Sequence, residues 1–213
     1  MTKHVAISLD SVFDWCRKNN AGIKEACDKY FGFLLGLIEQ QVKSLTPIFT
    51  IYLLPDSDHH NLEFYERMSD FFNELSQNSV ISQNNIKVSI FGKWYKLPGK
   101  AVESLKKTME ETKDYDGFFI NFCVNYDGQE EIADACRLIA KQVQLGRIDP
   151  EMISKDAIKE NLYSSYFMPP DILFIYGDRK LSGLLLWDSV GAKVVFADKS
   201  FMEFDEKDFE RLL

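Results

Sequence analysis

Two polar turns, each following an apolar run, carry residue types able to do chemistry. The first turn, after Ile48–Leu54, holds groups that often bind metal ions, namely Asp56, Asp58, His59 and His60. Consecutive residues rarely converge on one ion, so this turn is interpreted as solvated surface. The second turn, Asn125–Gly128, follows the apolar run Phe118–Val124. Ligands of open α/β sheets usually bind at loops leaving the carboxyl ends of strands, so this turn is a candidate binding site.

The residues around the second turn predict a strand, a tight turn and a helix. The run Phe118–Val124 is broken only by Asn121, which is typical of a strand buried on both faces of a parallel sheet. After the turn, apolar residues recur at helical spacing, at Ile132, Cys136, Ile139 and Val143. The opposite, polar face is predicted to hold Glu130, Glu131, Asp134 and Arg137.

The rest of the chain repeats this alternation of strands and helices. Further strands are predicted at His4–Leu9, Ile48–Leu54, Ile86–Phe91, Asp171–Ile175 and Val194–Phe196. Further helices are predicted at Ile23–Val42, Leu62–Leu75, Lys100–Thr112, Ile153–Tyr163, Leu181–Val190 and Asp205–Leu213. The order predicts a single α/β domain over residues 1–213, with a mostly parallel central sheet of about six strands flanked by helices.

Composition excludes several classes of protein. The net charge of -8 argues against a nucleic-acid partner, because there is no surplus of cations to neutralise phosphates. Four cysteines without a C-x-x-C pair indicate free thiols, with Cys123 and Cys136 buried, in a reducing compartment. The longest apolar stretch, Tyr30–Ile38, is too short to span a membrane. We therefore expect a soluble, cytoplasmic protein with at most peripheral membrane contact.

Several motifs in the correct order give the chain a family resemblance. Asn125–Ile132 (NYDGQEEI) resembles the N-Y-G-G-R-x-x-I signature of the cis-prenyltransferases, which make undecaprenyl and other Z-polyprenyl diphosphates. Gly92–Ser104 resembles the family's G-x-x-x-x-L-P-x-x-x-x-E run, and Leu181–Trp187 (LSGLLLW) resembles R-x-S-N-F-L-L-W. Phe196–Phe209 is similar to the family's Y-F-T-D-x-x-W-P-D-F tail.

The resemblance implies the undecaprenyl diphosphate synthase fold and a defined chemistry. Family members condense an allylic diphosphate with isopentenyl diphosphate through an allylic cation. This chemistry needs Mg²⁺ and hydrogen-bond donors for the leaving diphosphate, and an apolar tunnel for the growing chain. Arginine forks, backbone amides of a glycine-rich turn and a helix N-terminus are the natural diphosphate ligands.

The turn after the first strand keeps one residue of the implied site and loses others. The family pattern H-V-A-x-x-M-D-G-N-G-R-W corresponds to His4–Trp15, so Asp10 stands at the position of the Mg²⁺-associated carboxylate. The glycines have become Ser11 and Phe13, and the phosphate-binding arginine has become Asp14. Asp10 is either a remaining Mg²⁺ ligand or a helix cap.

The implied diphosphate sites elsewhere have also lost positive charge. In the second turn Asn125 is retained, but Asp127 replaces a glycine and Gln129 replaces the arginine. After the fifth strand the family's R-T-S-G-E-x-R-x-S is shortened, with its first arginine absent. The candidate diphosphate-binding residues are Ser11, Asn125, Lys180 and Ser182, and the candidate metal ligands are Asp10 and Asp178.

Apolar helices supply a candidate prenyl tunnel. Its predicted lining is Phe31, Leu34, Met68 and Phe72. The same side chains could equally fill the hydrophobic core, which is the favoured interpretation.

Together these features predict a catalytically degenerate homologue acting as the accessory subunit of a heteromeric Z-polyprenyl diphosphate synthase. Its partner is expected to be a catalytic cis-prenyltransferase subunit or a second copy, meeting an apolar surface around residues 117–145 and 190–205. The first alternative is an active, divergent prenyltransferase that uses Mg²⁺. The second is a protein that binds a prenyl lipid without chemistry.

Overall fold

A computed structural model describes residues 2–55, 61–177, 179–203 and 208. In these residues six strands form one fully parallel sheet in the order β3-β4-β2-β1-β5-β6. The strands are β1 (His4–Ser8), β2 (Ile48–Pro55), β3 (Ile86–Phe91), β4 (Phe118–Tyr126), β5 (Ile172–Tyr176) and β6 (Lys193–Ala197). The predicted α/β class and the predicted sheet of about six strands are confirmed. The turn of Asp56, Asp58, His59 and His60 lies outside the described residues.

α-Helices connect the first five strands, whereas the crossover from β5 to β6 contains only a short 3₁₀ helix within the described residues. The α-helices within the described residues are α1 (Val12–Asn19), α2 (Ile23–Lys43), α3 (Leu62–Gln77), α4 (Ser79–Gln83), α5 (Gly99–Glu111), α6 (Gly128–Gln144) and α7 (Lys155–Lys159). Polar side chains begin several of them, because an oxygen at the N-cap accepts from an amide of the first turn that lacks an intrahelical partner. Ser11, Asn61 and Asp127 do this for α1, α3 and α6.

Alternate residues of the strands contribute side chains to two hydrophobic layers, one on each face of the sheet. The larger layer packs β1 and β2 residues such as Ile7 and Ile51 against α2, α3 and α5. The smaller layer, on the other face, contains Tyr52, Tyr126 and Leu185. Burial on both faces explains why β1, β2, β4 and β5 are nearly continuous apolar runs.

The predicted helix Leu181–Val190 is wrong. This stretch forms a loop, turns and a short 3₁₀ helix at Asp188–Gly191. Gly183 (φ +77°) and Leu185 (φ +46°) both adopt left-handed backbone, which is incompatible with a right-handed helix. The helix predicted at Ile153–Tyr163 is reduced to α7. The helix predicted at Asp205–Leu213 lies, except for residue 208, outside the described residues.

The buried face of α6 differs from the predicted one. Glu131, predicted on the polar face, is only 1% exposed and is buried with Ala135 and Ile139. Cys136, predicted to be buried, is exposed, whereas Cys123 is buried as predicted; all four cysteines are free thiols. The buried face of α6 includes Glu131 because its carboxylate accepts hydrogen bonds from Tyr126 and Ser164, so hydrophobicity alone does not set the orientation of the helix.

The strand order places a topological switch point at β1. From β1 the chain moves to β2 on one side, and it returns later to β5 on the other side. Loops leaving the carboxyl ends of β1 and β5 therefore diverge and open a crevice between them. Such crevices are where open α/β sheets bind ligands.

A buried polar network joins β1, β2 and β4 in the middle of the sheet. The ring of His4 lies 2.7 Å from the Met168 carbonyl through Nδ1 and 2.8 Å from Thr50 Oγ1 through Nε2. Asn121 Nδ2 donates to Thr50 Oγ1 at 3.1 Å. A neutral His4 with its proton on Nδ1 satisfies these contacts, since Nδ1 then donates to the carbonyl and Nε2 accepts from the threonine hydroxyl.

His4 predicts loss of stability in mild acid. Burial lowers the pKa of His4 below the ordinary value of about 6.5, and it outweighs the nearby carboxylates of Asp171 and Asp188, which raise that pKa. Below about pH 6.5 the unfolded state therefore binds a proton that the folded state excludes. The free energy of unfolding should fall by up to about 1.4 kcal/mol per pH unit until the pH reaches the folded-state pKa.

Urea denaturation of the wild-type protein and of His4→Gln between pH 7.5 and 5 measures this effect. The variant should be less stable at pH 7.5 but should lose less stability on acidification than the wild type. Equal pH slopes for the two proteins would contradict a neutral, buried His4.

Candidate functional site

A cavity of about 500 Å³ occupies the crevice between the carboxyl ends of β1 and β5. Its walls come from residues 8–11, from residues of α1, from residues 175–177 and 180–182, and from the segment after β6. Four of the predicted site residues line it together: Asp10, Ser11, Lys180 and Ser182. Asn125 does not line it, and Asp178 lies outside the described residues.

The charged groups that line the cavity are mostly acidic. Among the described residues the carboxylates are Asp10, Asp14, Asp198 and Glu203, and the ammonium groups are Lys18 and Lys180. Arg179, next to Lys180, donates to Asp198 through two hydrogen bonds of 2.7 Å and lowers the pKa of that carboxyl. Arg17 is likewise paired with Asp14. Because both arginines are already paired with carboxylates, the described residues offer an entering diphosphate no surplus of positive charge.

The carboxylate of Asp10 is engaged by the protein itself. Its Oδ2 accepts a hydrogen bond from Ser200 Oγ at 2.8 Å, and its Oδ1 accepts one from the Phe201 amide at 2.9 Å. The alternative that Asp10 caps a helix is wrong, because the α1 cap is Ser11, which accepts from the Asp14 amide.

The described residues do not fit a resident Mg²⁺. Mg²⁺ needs near-ideal octahedral oxygen geometry and is usually held by one or two carboxylates together with substrate phosphates. Here both oxygens of Asp10 are used by Ser200 and Phe201. Within residues 2–55, 61–177, 179–203 and 208, no three His, Cys, Asp or Glu side chains lie together as metal ligands.

Ser182 keeps a group that a polar ligand could use. Its Oγ is fully buried without a hydrogen-bond partner among the described residues, and the residue lines the cavity. Lys180, at the same wall, is exposed. This corner of the cavity is the best-preserved part of the implied diphosphate site.

In the turn after β4, the polar side chains form hydrogen bonds with backbone groups of the protein itself. Asp127 accepts hydrogen bonds from the amides of Gln129 and Glu130, at 2.8 and 2.9 Å, so its carboxylate occupies the N-terminus of α6. Asn125, at φ +48°, donates from Nδ2 to the Lys93 carbonyl at 3.1 Å. Lys93 in turn pairs with Glu130, which raises the pKa of Lys93. Asn125 thus joins two loops here.

The candidate tunnel residues fill the hydrophobic core. Phe31, Leu34, Met68 and Phe72 are all buried in the larger layer. A small cavity of about 70 Å³ lies between that layer and Asp10, and it is bordered by Phe13 and Phe64, whose ring centroids are 5.3 Å apart. The core interpretation of these residues is the one that the packing supports.

A second cluster of charges, which the sequence analysis missed, lies beneath α6. Tyr126 donates to Glu131 at 2.5 Å, and the Ser164 amide donates to the other oxygen of Glu131 at 3.3 Å. Ser164 Oγ and Lys159 Nζ both donate to Asp188 Oδ2 at 2.6 Å. Burial raises the pKa of Glu131. Nothing in the sequence distinguishes these acids from the exposed ones around them.

Ser200 is the other residue that sequence reasoning missed. It lies 190 residues from Asp10, at a position that the tail pattern of the resembling family leaves unspecified. The tail similarity over Phe196–Phe209 located the segment, but the pairing of Ser200 with Asp10 depends on the folded chain.

No described helix is both long and apolar enough to cross a lipid bilayer. The 21-residue helix α2 interrupts its apolar positions with charged ones such as Lys24, Glu25 and Lys29.

Comparisons with known proteins agree with the fold and motifs. Residues 17–213 match the family described as "Putative undecaprenyl diphosphate synthase". A tritrans,polycis-undecaprenyl-diphosphate synthase (geranylgeranyl-diphosphate specific) of Methanocaldococcus jannaschii is 28% identical, over 99% of this chain and 78% of that protein. Isoprenyl transferase 2 of Streptomyces avermitilis is 31% identical, over 98% of this chain and 74% of that protein.

A solved structure shows the same fold. Lavandulyl diphosphate synthase from Lavandula x intermedia, in complex with dimethylallyl diphosphate, superposes with a TM-score of 0.92 at 23% identity, covering 99% of this chain and 93% of the other. With the family match over residues 17–213, the resemblance drawn from the motifs is confirmed: the chain belongs to the undecaprenyl diphosphate synthase family of cis-prenyltransferases.

Proposed function

We propose that this chain is a non-catalytic member of its family that acts as the accessory subunit of a heteromeric Z-polyprenyl diphosphate synthase. The observation that carries the proposal is the acidic lining of the cavity. Among the residues that the structure describes, four carboxylates and two lysines line the space where the family's chemistry requires a polyanion to bind.

The free energy of the missing contacts to the diphosphate is large compared with the stabilisation that a catalyst gives its transition state. A hydrogen bond to a charged group contributes about 1.5–3 kcal/mol, and each 1.4 kcal/mol lost from the transition state slows a reaction about tenfold. The family's cationic positions are occupied by Asp14 and Gln129, and the first arginine after β5 is absent. Loss of these contacts together would remove most of the rate acceleration.

Exposed apolar side chains support a role in assembly. Val190 is 90% exposed and Leu145 is 65% exposed, and Leu138, Val194 and Phe196 are also exposed. They lie in the two segments where the resemblance implies a subunit interface. Burying such side chains against a partner would stabilise the complex.

The second candidate function is an active prenyltransferase for small substrates. It is favoured by the open cavity of about 500 Å³ with the buried Ser182 hydroxyl, and by the fold shared with a synthase solved with dimethylallyl diphosphate. A prenyl-lipid carrier is disfavoured by the packing of Phe31, Leu34, Met68 and Phe72 in the core.

The test is incubation of the purified chain with Mg²⁺, labelled isopentenyl diphosphate and one of three allylic diphosphates: dimethylallyl, farnesyl or geranylgeranyl. Each reaction is run with and without a family member from the same genome that retains the full cationic motifs. The chain alone should form no product, and its addition should raise the turnover of the other subunit.

Two exposed residues provide matched variants for the assembly. Val190→Glu should abolish the stimulation and the complex seen by size-exclusion chromatography with light scattering. Leu62→Glu, at an exposed leucine on α3 (72%), should change neither. Turnover by the lone chain would refute the accessory role and support the second candidate.

A further inference from the structure

Asp10 joins two distant parts of the chain at the edge of the cavity. Its two carboxylate oxygens accept hydrogen bonds from Ser200 Oγ (2.8 Å) and from the Phe201 amide (2.9 Å). Ser200 Oγ also accepts from the Met202 amide at 3.3 Å. One carboxylate and one hydroxyl thereby hold the segment of residues 198–203, which we call the strap.

The strap is fixed to the core immediately beside these hydrogen bonds. Phe201 is 1% exposed, and its ring lies 4.8 Å from the ring of Tyr30 and 5.9 Å from that of Phe33. The strap in turn brings Ser200, Asp198 and Glu203 to the cavity. It therefore forms the wall of the cavity that faces α1.

The end of β5 holds Asp10 from the other side. Gly177 has φ +80°, and a Cβ added there would lie only 2.7 Å from the Cβ of Asp10. Such close approach is possible only for glycine. The Asp10 side chain is thus packed between Gly177 and the strap and has little freedom to turn elsewhere.

We infer that Asp10 is the structural anchor of the strap and not a ligand of Mg²⁺. The inference goes beyond the proposed function, because it assigns a different task to the carboxylate that the family resemblance associates with the metal. Both oxygens already have donors of good geometry, and Asp10 belongs to no group of three or more His, Cys, Asp or Glu side chains among the described residues. A metal ion at Asp10 would have to share these oxygens with Ser200 and the Phe201 amide.

Three variants separate an anchor from a metal ligand. Asp10→Ala removes both acceptors, so it should raise amide hydrogen exchange in residues 198–203 at least about tenfold and lower Tm by roughly 5 °C or more. Asp10→Asn should stay within about 2 °C of the wild type, because its amide accepts from Phe201 and donates to Ser200. Ser200→Ala, which leaves one of the two hydrogen bonds, should show an intermediate increase in exchange.

Asp14→Ala is the matched control, since Asp14 also lines the cavity but pairs with the exposed Arg17. It should leave the exchange of the strap unchanged. MgCl₂ at 10 mM should shift the Tm of wild type and Asp10→Asn equally.

Two results would overturn the inference. One is a Mg²⁺-dependent rise in Tm that occurs in the wild type and is lost in Asp10→Asn. The other is a strap whose exchange is unaffected by Asp10→Ala. These readouts do not depend on turnover, so the anchor and the accessory role fail or hold separately.

Discussion

Replacing Lys159 by methionine is expected to lower the free energy of unfolding by about 3–5 kcal/mol. Lys159 Nζ lies 2.6 Å from Asp188 Oδ2, and the Asp188 side chain is 3% exposed. The same ammonium group donates to the carbonyl and the hydroxyl of Ser164 at 2.9 and 3.1 Å. Methionine keeps the length of the side chain but leaves a buried carboxylate facing only a serine hydroxyl.

Two control variants test this explanation by urea denaturation at pH 7. Lys155→Met, on an exposed position of the same helix, should change the free energy of unfolding by no more than about 0.5 kcal/mol. Lys159→Met combined with Asp188→Leu should recover most of the lost stability, because no unpaired charge then remains buried. A loss below about 1 kcal/mol for Lys159→Met alone would contradict a desolvated ion pair.

The strands were predictable because their environment is simple. Strands β1, β2, β4 and β5 are largely buried, so their sequences are apolar runs with a recognisable beginning and end. For the more alternating strand Ile86–Phe91 the predicted and observed bounds agree. The segment 181–190 was not predictable on these grounds. Its leucines suit an apolar helix, but Leu185 takes a left-handed backbone and packs in the smaller core layer with Leu184. No sequence signal marks a leucine for that conformation.

The location of the site could be predicted from the sequence, whereas the hydrogen-bond partners of its residues could not. Asp10, Lys180 and Ser182 line the same cavity because the loops that follow β1 and β5 border the crevice at the switch point, which the order of elements largely determines. The partners of these groups depend on contacts between residues far apart in the chain. Asp10 binds Ser200, and Glu131 is buried against Tyr126 although the helical pattern places it outside.

Two observations from separate parts of the fold favour a non-catalytic assembly subunit. These are the loss of cations at the site and the burial of the candidate tunnel side chains in the core. The first concerns loops at the carboxyl edge of the sheet, and the second concerns helices α2 and α3 on its face. A chain that has lost only its charges could still hold a polyprenyl tail. A chain whose core is filled has no space for such a tail. The packing around Phe72 therefore distinguishes an assembly subunit from a lipid carrier.

Truncation of Phe72 to alanine is therefore expected to destabilise the protein by about 3–5 kcal/mol. Phe72 has no exposed surface, and its ring lies 5.1 Å from the ring of Phe122 and 5.2 Å from that of Phe71, both in edge-to-face geometry. Removing the ring leaves a cavity that close-packed neighbours refill only in part. Urea denaturation measures the loss, and Phe72→Leu, which keeps most of the volume, should cost less than about 1.5 kcal/mol.

An open prenyl tunnel would give a different pair of results. A ring lining a tunnel already faces empty space, so Phe72→Ala would cost little, and farnesol would raise the Tm of the wild-type protein by binding the folded state. A filled core predicts a large loss on truncation and no shift in Tm with farnesol. Because the two measurements depend on the same space around Phe72, a small loss together with a farnesol-dependent rise in Tm would refute the core interpretation. That outcome would support the tunnel interpretation and, with it, the alternative that the protein binds a prenyl lipid.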